Sequence, residues 1–235
     1  MKITVVMPTY NEAQNLPAMV RQILSLEVEG LQVLVIDDNS PDGTGEIADQ
    51  LAEAHPDRVE VIHRERKMGL GSTYLTGFAH ALEQGADVIF EMDADFSHSP
   101  QYIPQLLDRI RDCDVVIGSR YVAGGRVDPR WSLWRRLLSW GGNLYTRLVT
   151  GLKIRDTTAG FKCYRRDVLE GLDLGRVRSD GYAFQIEMHY ACQKKGYRLA
   201  ELPILFGERS RGESKMSLKI IWEALWRVWQ IRWRY

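Results

Sequence analysis

The hydrophobic positions in the first half of the chain form short β-branched runs separated by longer segments with helical periodicity. Five runs rich in Val and Ile predict strands at residues 3–7, 31–36, 59–63, 88–92 and 115–117. The segments between them predict helices at 16–26, 44–54, 70–84 and 100–110. Strands and helices that alternate in this way form a mainly parallel sheet with helices on both faces.

The second half is less regular. Gly124-Gly125 and Asp128-Pro129 predict a loop, and a helix rich in Trp and Arg follows at 131–150. A short apolar segment at 161–164, a helix at 182–195, a strand at 197–204 and a loop of small and charged residues at 207–217 complete this half. With 235 residues, of which 45% are hydrophobic, the chain can bury one sizeable core. We expect an α/β domain of residues 1–217 and an appended amphipathic helix of residues 218–235.

Unusual polar clusters follow three of the predicted strands, at the point where each strand ends. They are Pro8-Thr9-Tyr10-Asn11-Glu12, Asp37-Asp38 and Asp93-Ala94-Asp95. Right-handed crossovers bring the carboxyl ends of parallel strands to one edge of the sheet. Because ligands of open α/β sheets bind at that edge, the sequence predicts a ligand site there.

Asp93 and Asp95 lie two residues apart after a buried strand, with a small residue between them. Two such carboxylates can converge on one hard divalent cation, and Mg²⁺ or Mn²⁺ prefers oxygen ligands. An isolated motif of this kind is more often a solvated acidic turn. Its position at the sheet edge favours the metal site.

The other clusters suggest contacts with a nucleotide. Asp38 is a candidate hydrogen-bond acceptor for a ribose or a base, and Asp42 or Thr44 a candidate cap for the following helix. Tyr10 could lie against a base and Glu12 could accept from it. A separate glycine-bearing segment, KMGLG at 67–71, could hold anionic oxygens at a helix N-terminus, although it could equally be a plain turn.

The net charge of zero conceals a strong division between the two halves. Residues 1–118 contain 8 Lys and Arg against 20 Asp and Glu, whereas residues 119–235 contain 23 against 11. The acidic half suits a metal ion that carries a nucleotide diphosphate, and the basic half suits an anionic acceptor or membrane surface. Many of these charges are also explained as solvated surface. We find no nucleic-acid-binding motif in the basic half and therefore expect no nucleic-acid partner.

Several basic and hydroxyl side chains in the second half could bind phosphate. Arg120 follows the fifth predicted strand, and Arg135 and Ser139 share one helix face because they are four residues apart. Arg209 and Lys215 lie in the loop at 207–217, which we expect to be mobile without ligand and to order over a bound diphosphate.

Cys113, Cys163 and Cys192 are scattered and form no CxxC pair, so we expect free thiols and a cytosolic location. The chain begins in a strand-like run, so we expect no signal peptide. It contains no uncharged apolar stretch of the length that spans a bilayer.

Eight segments in this order resemble one known family, the dolichol-phosphate (polyprenol-phosphate) mannose synthases. They are VVMPTYNE, VIDDNSPDGT, KMGLG, MDADFSH, GSRY, DTTAGFKCYRR, GYAFQIEM and RSRGESK. These enzymes are family 2 glycosyltransferases with the GT-A nucleotide-diphospho-sugar transferase fold. The resemblance runs from Ile3 to about Ser217. It implies an inverting enzyme that moves mannose from GDP-mannose to a polyprenyl (dolichyl) phosphate, with Mg²⁺ or Mn²⁺ as cofactor.

The resemblance also implies roles for individual residues. It assigns the guanosine to Pro8, Tyr10, Glu12, Ile36 and Asp38. The diphosphate and the metal would contact Asp93, Ala94 and Asp95, with Asp95 as the main ligand and Ser97, which is Gln in many relatives, nearby. Donor or acceptor phosphates would contact Arg120, Arg209 and Lys215, and the lipid phosphate would contact Arg135 and Ser139.

Two other functions remain open from the sequence. A related family 2 enzyme could move glucose from UDP to undecaprenyl phosphate by the same metal and phosphate chemistry. A nucleotide-sugar-binding module without turnover is less favoured, because both carboxylates and the basic residues are present. A Rossmann dehydrogenase is disfavoured because no GxGxxG segment follows the first strand.

The predicted C-terminal helix is amphipathic. One stripe carries Lys219, Glu223, Arg227, Gln230 and Arg234, and the other side carries Leu218, Ile221, Trp222, Leu225, Trp229 and Trp233. Trp and Arg at this density suit a membrane interface. The alternative is that the apolar side docks on the core of the domain. We expect peripheral binding to the cytoplasmic face of a membrane through this helix and the stretch at 131–140.

Overall fold

The computed structural model describes residues 1–207, the backbone of 218–235 and the side chains of 225–235. A seven-stranded sheet has the order β3-β2-β1-β4-β7-β5-β8, and a second sheet pairs β6 with β9. The strands are β1 Ile3–Thr9, β2 Leu31–Asp37, β3 Val59–His63, β4 Val88–Glu91, β5 Val115–Ser119, β6 Arg126–Val127, β7 Lys162–Arg165, β8 Leu199–Pro203 and β9 Leu205–Phe206. The five strands predicted in the first half are confirmed.

Helices cover both faces of the large sheet. They are α1 Leu16–Leu24, α2 Thr44–Ala54, α3 Leu70–Glu83, α4 Ile103–Arg109, α5 Leu133–Thr150, α6 Arg166–Gly171, α7 Gly181–Lys194 and α8 Leu218–Arg234. The helix predicted from residue 131 begins at Leu133, because the Ser132 side chain caps it by accepting the backbone N–H of Arg135. The predicted fold class, a mainly parallel α/β sheet, is confirmed.

Alternate residues of the central strands face opposite sides, so the sheet divides the core in two. Val6, Leu34 and Ile89 pack with residues of α3, α5, α7 and α8. Val5 and Val33 pack with residues of α1, α2 and α4. Strands that are buried on both faces explain why the sequence shows continuous apolar runs.

One strand differs in direction from the others. β7 runs antiparallel between β4 and β5, and the six remaining strands of the large sheet are parallel to one another. The expectation that every strand opens its carboxyl end onto one edge is therefore wrong for β7. Instead, the residues that precede β7 enter the sheet at that edge.

The C-terminal helix α8 packs on α5 and α7, with Val228 and Ile231 buried in the core. Arg234, which belongs to the predicted polar stripe, pairs with the fully buried Glu187 of α7. Trp229 and Trp233 of the predicted apolar side are exposed, whereas the docked residues Val228 and Ile231 do not belong to that side. None of the described helices is both long enough and apolar enough to cross a bilayer.

Candidate active site at the carboxyl edge of the sheet

The segments that follow β1, β2, β4 and β5 meet at the carboxyl edge of the large sheet. Residues 156–161, which precede the antiparallel β7, enter at the same edge between β4 and β5. Among the described residues, the non-glycine residues with positive φ are Asn11, Asn39 and Phe96, and all three follow strands at this edge. Strained backbone of this kind is concentrated at functional sites.

Asp93, Ala94 and Asp95, here called the acidic turn, are fixed by hydrogen bonds. The Tyr74 hydroxyl donates to Asp93 Oδ1 over 3.0 Å. The Ser97 backbone N–H donates to Asp95 Oδ1 over 2.9 Å. Burial, reinforced by the negative charge of Asp93, raises the pKa of Tyr74 well above its usual value. Tyr74 therefore stays protonated and holds the Asp93 carboxylate in one orientation.

The acidic turn offers oxygen atoms that suit a hard divalent cation. Ser97 Oγ is buried and makes no hydrogen bond within the described part of the chain. Among the described residues, no group of three or more His, Cys, Asp and Glu side chains could hold a metal ion. Mg²⁺ in transferase sites commonly takes one or two carboxylates together with waters and substrate phosphates. Asp93, Asp95 and Ser97 fit an ion that binds together with a diphosphate.

The residues predicted to hold a nucleoside divide into exposed and buried ones. Tyr10 is exposed, and the Lys67 ammonium lies 3.6 Å from the centroid of its ring. Pro8 and Glu12 are half-buried beside it. The Ile36 side chain is fully buried in the core on the α3 side of the sheet, and its predicted contact with a nucleoside stays a prediction.

Asp38 is buried and bonded to the protein itself. Arg64 Nη1 lies 2.9 Å from Asp38 Oδ1. The Thr73 hydroxyl and the Met68 backbone N–H each donate to Asp38 over 3.2 Å. These contacts join β2 to the segment before α3. The predicted contact of Asp38 with a nucleoside stays a prediction beside this structural role.

The N-cap of α2 is Gly43, whose φ is 86°. The prediction that Asp42 or Thr44 caps this helix is therefore wrong. Asp42 Oδ1 nevertheless accepts the Thr44 backbone N–H over 3.1 Å, at the first helical residue. Although burial acts in the opposite direction, hydrogen bonds from Thr44 and Ala13 lower the pKa of Asp42. Asp42 therefore stays ionised beside the helix N-terminus.

The N-terminus of α3 already holds a carboxylate. The Gly71 backbone N–H donates to Asp180 Oδ1 over 2.8 Å. A side chain at Gly69, whose φ is 95°, would begin 2.3 Å from Asp180 Oδ2. The anion that the KMGLG segment was predicted to bind is therefore an internal aspartate, and the interpretation of this segment as a phosphate loop is corrected.

Arg120 follows β5 at the predicted edge, but its guanidinium is buried and paired. Its Nε and Nη2 donate to the two oxygens of the fully buried Asp156 over 2.7 and 2.6 Å. A third bond runs from Nη2 to the Thr158 hydroxyl over 2.8 Å. Although burial opposes the charged form, Asp156 raises the pKa of Arg120 above its ordinary value. The pair fixes the segment before β7 against the end of β5.

Ser139, one of the two predicted acceptor residues of α5, lies against the residue that follows Arg120. The Tyr121 hydroxyl donates to Ser139 Oγ over 2.6 Å, so Ser139 joins the end of β5. We call Arg120, Tyr121 and Ser139 the acceptor group. The Arg135 guanidinium lies 3.8 Å from the ring centroid of Trp131, which precedes α5.

Phe206 of β9 lies between the acceptor group and His98, which follows the acidic turn by three residues. Its ring centroid lies 5.1 Å from Arg120 Cζ and 5.2 Å from the His98 ring centroid. The next residue, Gly207, donates its backbone N–H to the Ser97 carbonyl over 3.0 Å. The predicted phosphate ligands Arg209 and Lys215 follow in sequence and lie outside the described residues.

Several site residues were not assigned a role from the sequence. Asp156 begins the segment DTTAGFKCYRR, and Gln185 and Glu187 belong to GYAFQIEM. Both segments were recognised as parts of a family pattern, but polar residues within apolar helices and strands gave no indication of their partners. Tyr74 and Tyr121 likewise showed no sequence signal.

A surface cavity of about 460 Å³ lies away from this edge. It is lined by residues from the amino ends of β1–β3 and the end of α3, including Lys2, Gln32 and His80. None of the predicted site residues lines it. The chemistry of the side chains therefore marks the site better than cavity size does.

Comparison with known proteins finds relatives along nearly the whole chain. The Glycosyl transferase family 2 model matches residues 4–173. The polyprenol monophosphomannose synthase of Mycolicibacterium smegmatis is 49% identical over 234 residues, which cover 98% of this chain and 87% of that protein. The undecaprenyl-phosphate mannosyltransferase of Micrococcus luteus is 46% identical over 225 residues, which cover 96% and 91%.

A solved structure has the same fold. A mannosyltransferase from Pyrobaculum calidifontis, in complex with GDP-Man and Mn²⁺, matches with a TM-score of 0.61 at 20% identity. The match covers 91% of this chain and 58% of that one. At this identity the likeness establishes the fold alone.

Proposed function

Because the chain belongs to glycosyl transferase family 2, we propose that it transfers mannose from GDP-mannose to a polyprenyl (dolichyl) phosphate. Two relatives with 46% and 49% identity are named for mannose transfer to lipids of this class. The structural observation that carries the proposal is the meeting of the acidic turn and the acceptor group at one edge. Phe206 contacts Arg120 of the acceptor group and His98, which follows the acidic turn by three residues.

The reaction requires little acid–base catalysis. The second pKa of a phosphate monoester is about 6, so the acceptor is largely dianionic at neutral pH. One of its oxygens forms a bond to the anomeric carbon, the bond from that carbon to the donor diphosphate breaks, and GDP leaves with the electron pair. Attack opposite the leaving group converts an α-linked donor into a β-linked lipid phosphomannose.

The main task of the protein is to bring two anions together. We assign Asp93 and Asp95 to a Mg²⁺ or Mn²⁺ ion, with Asp95 as the main ligand and Ser97 nearby. When bound, such an ion neutralises the diphosphate and assists its departure as a Lewis acid. Tyr74 keeps Asp93 oriented for this role through its hydrogen bond.

Cationic side chains offset the remaining repulsion and hold the reacting groups in line. Arg135 and Ser139 are assigned to the acceptor phosphate. Arg120, Arg209 and Lys215 are assigned to donor or acceptor phosphates. The excess of basic residues in 119–235, 23 against 11 acidic ones, supports this distribution.

A membrane surface is proposed as the place of the reaction, because the acceptor phosphate lies at the level of the lipid headgroups. An exposed apolar stripe runs along α5 at helical spacing, and it consists of Leu133, Leu137, Trp140, Leu144 and Leu148. On α8, which packs on α5, Trp226, Trp229 and Trp233 are exposed. The negative leaflet of the cytoplasmic face would attract the basic half of the chain.

The test is to offer GDP-mannose, UDP-glucose and UDP-GlcNAc in parallel with a polyprenyl phosphate and Mg²⁺ or Mn²⁺, and to identify the lipid product by mass spectrometry. We expect a phosphohexose lipid from GDP-mannose. A product from UDP-glucose would instead support the glucose branch of the family. Donor binding without any lipid product would support a non-catalytic module.

A further inference from the structure

Gly160 lies two residues before β7, which enters the sheet between β4 and β5 at the carboxyl edge. The segment 156–160, which contains it, is held in place by an ion pair and hydrogen bonds. Asp156 is paired with Arg120, and Asn143 Oδ1 accepts the backbone N–H and the hydroxyl of Thr157 over 2.7 and 2.8 Å. Gly160 therefore has a defined position relative to the acidic turn.

The missing side chain of Gly160 leaves a recess, here called the Gly160 recess. A methyl group there would lie 3.5 Å from Gln185 Nε2, 3.7 Å from Asp93 Oδ2 and 3.7 Å from His98 Cε1. The recess is thus bordered by an amide donor and by an oxygen of the acidic turn. Asp93 and Gly160 are only half-buried, so the recess opens toward the site.

The backbone gives no reason for a glycine here, since Gly160 does not have a positive φ. Close packing gives no reason either, because all three distances are ordinary van der Waals separations. The remaining consequence of a glycine is open space beside Asp93. Alanine at this position would fill that space without displacing a neighbour.

Gln185 has a defined orientation because of the charged residue behind it. Lys162 Nζ donates to Gln185 Oε1. A lysine ammonium has no acceptor, so its partner must be the amide oxygen, and Nε2 is the atom that faces the recess. Nε2 carries two hydrogens, and it can donate a hydrogen bond to a ligand in the recess.

Lys162 is itself held by a buried network. Glu91 Oε2 lies 3.5 Å from Lys162 Nζ, and the Tyr164 hydroxyl donates to Glu91 Oε1 over 2.8 Å. All three side chains are fully buried. Buried ion pairs are often no more stabilising than apolar residues of the same volume. A network of this kind below the acidic turn is better explained by the orientation it gives to Gln185.

We infer that the Gly160 recess receives a hydroxyl of the donor hexose and that Gln185 Nε2 donates a hydrogen bond to it. Gln185 is then a specificity-determining residue, and Lys162 is a positioning residue that acts through it. This inference rests on the proposed function, because it assumes a nucleotide-diphospho-hexose donor at this edge. A buried amide built to bind a hydroxyl rejects a sugar that lacks it, since the amide would remain unpaired.

The experiment measures the affinities of GDP and GDP-mannose by calorimetry, with Mn²⁺ present, for wild type, Gly160→Ala and Gln185→Leu. The matched control is Gly142→Ala, which adds the same methyl group to open space on α5. We expect Gly160→Ala to bind GDP as wild type does and to lose about tenfold in affinity for GDP-mannose. Gly142→Ala should match wild type for both ligands. Unchanged GDP-mannose affinity in Gly160→Ala would overturn the inference.

Deoxy analogues of GDP-mannose, each lacking one hydroxyl, identify the contact. We expect Gln185→Leu to weaken GDP-mannose binding about tenfold but to leave unchanged the binding of the one analogue that already lacks the partner hydroxyl. Equal weakening for every analogue would contradict a direct hydrogen bond. Thermal melting checks folding, and Gly160→Ala keeps the test valid if Gln185→Leu does not fold.

Failure of the proposed function has a different signature. If wild type uses another nucleotide sugar, the same comparison is made between that donor and its nucleoside diphosphate. The recess then still predicts a loss in Gly160→Ala for the sugar-bearing ligand alone. A wild type that binds no nucleotide sugar would instead contradict the function itself.

Discussion

Replacement of Asp156 by Asn separates the structural role of the buried Arg120 pair from its proposed catalytic role. Asp156 is fully buried and accepts both guanidinium bonds, while the Arg120 backbone N–H donates a third over 2.9 Å. The Asn variant keeps the size of the side chain but leaves a buried positive charge without its counterion.

Removal of one partner of a buried ion pair costs about 3–5 kcal/mol. In a chain of this length each kcal/mol lowers the melting temperature by about 2–4 °C. Asp156→Asn is therefore expected to lower the melting temperature by roughly 6–20 °C, measured by scanning calorimetry. Mannose transfer should also fall, because the segment before β7 loses its anchor.

The matched control is Asp114→Asn. Asp114 accepts the same set of bonds from Arg198, namely the backbone N–H over 2.6 Å, Nε over 3.3 Å and Nη2 over 3.1 Å. The Arg198 side chain is 66% exposed, so water replaces the lost partner and the melting temperature should change far less. Equal shifts in the two variants would refute the argument from burial.

A double variant, Arg120→Met with Asp156→Leu, extends the test. Apolar side chains of similar volume can replace a buried pair with little loss of stability. We expect this variant to melt near wild type and yet to transfer no mannose, because Arg120 is gone. Full activity in the double variant would show that Arg120 has only a structural role.

Three further predictions follow from other parts of the molecule. Burial, together with repulsion from Lys162, holds the pKa of His189 well below 6.5. Below about pH 6.5 the unfolded chain is protonated at His189 while the folded chain stays neutral there, so the free energy of unfolding should fall with pH. The loss, measured by urea denaturation, should reach up to about 1.4 kcal/mol per pH unit. Arg209→Ala and Lys215→Ala should each reduce turnover by about 10²-fold, and GDP-mannose with metal should slow proteolysis within 207–217. The double variant Trp134→Glu with Trp233→Glu should sediment less with anionic liposomes. It should also transfer mannose less well, with a larger loss for a long-chain acceptor than for a short, soluble one.

Each of these predictions has a control and a contradicting result. His189→Gln should reduce the loss of unfolding free energy at acid pH, whereas His55→Gln, at an exposed position, should leave that loss unchanged. The same pH dependence of stability in both variants would contradict the role given to His189. Arg21→Ala, exposed on α1, should keep full turnover, and ligand-independent proteolysis would exclude closure over the donor. Gln50→Glu adds a charge on the exposed face of α2, and a similar loss of sedimentation there would exclude a local membrane surface.

The sequence predicted the first half of the fold well because its strands are buried on both faces and alternate with amphipathic helices. The location of the acidic turn followed from the rule for parallel sheets. The direction of β7 could not be predicted from the sequence, because the run at 161–164 has the same apolar composition in either direction. Its pairing with β4 and β5 is a long-range property, which local periodicity does not encode.

The site was predictable where a residue type indicates its chemistry, as in Asp93 and Asp95, and less so where a partner decides the role. Asp180 binds the helix N-terminus at which the KMGLG segment was predicted to hold a phosphate. It lies 109 residues from Gly71 in the chain. Arg234 of α8 pairs with the buried Glu187 of α7, a partner that the helical pattern of the sequence does not reveal. Such pairings depend on tertiary contacts.

The most direct test of the central claim is the rate at which Asp95→Asn forms polyprenyl β-phosphomannose from GDP-mannose at saturating Mg²⁺ or Mn²⁺. Asp95 Oδ1 accepts the Ser97 backbone N–H over 2.9 Å, and the Asn side chain can keep that bond. We predict an intact fold with the melting temperature of wild type and no detectable β-linked product. Turnover near that of wild type would contradict the assignment of this edge as the catalytic metal and diphosphate site.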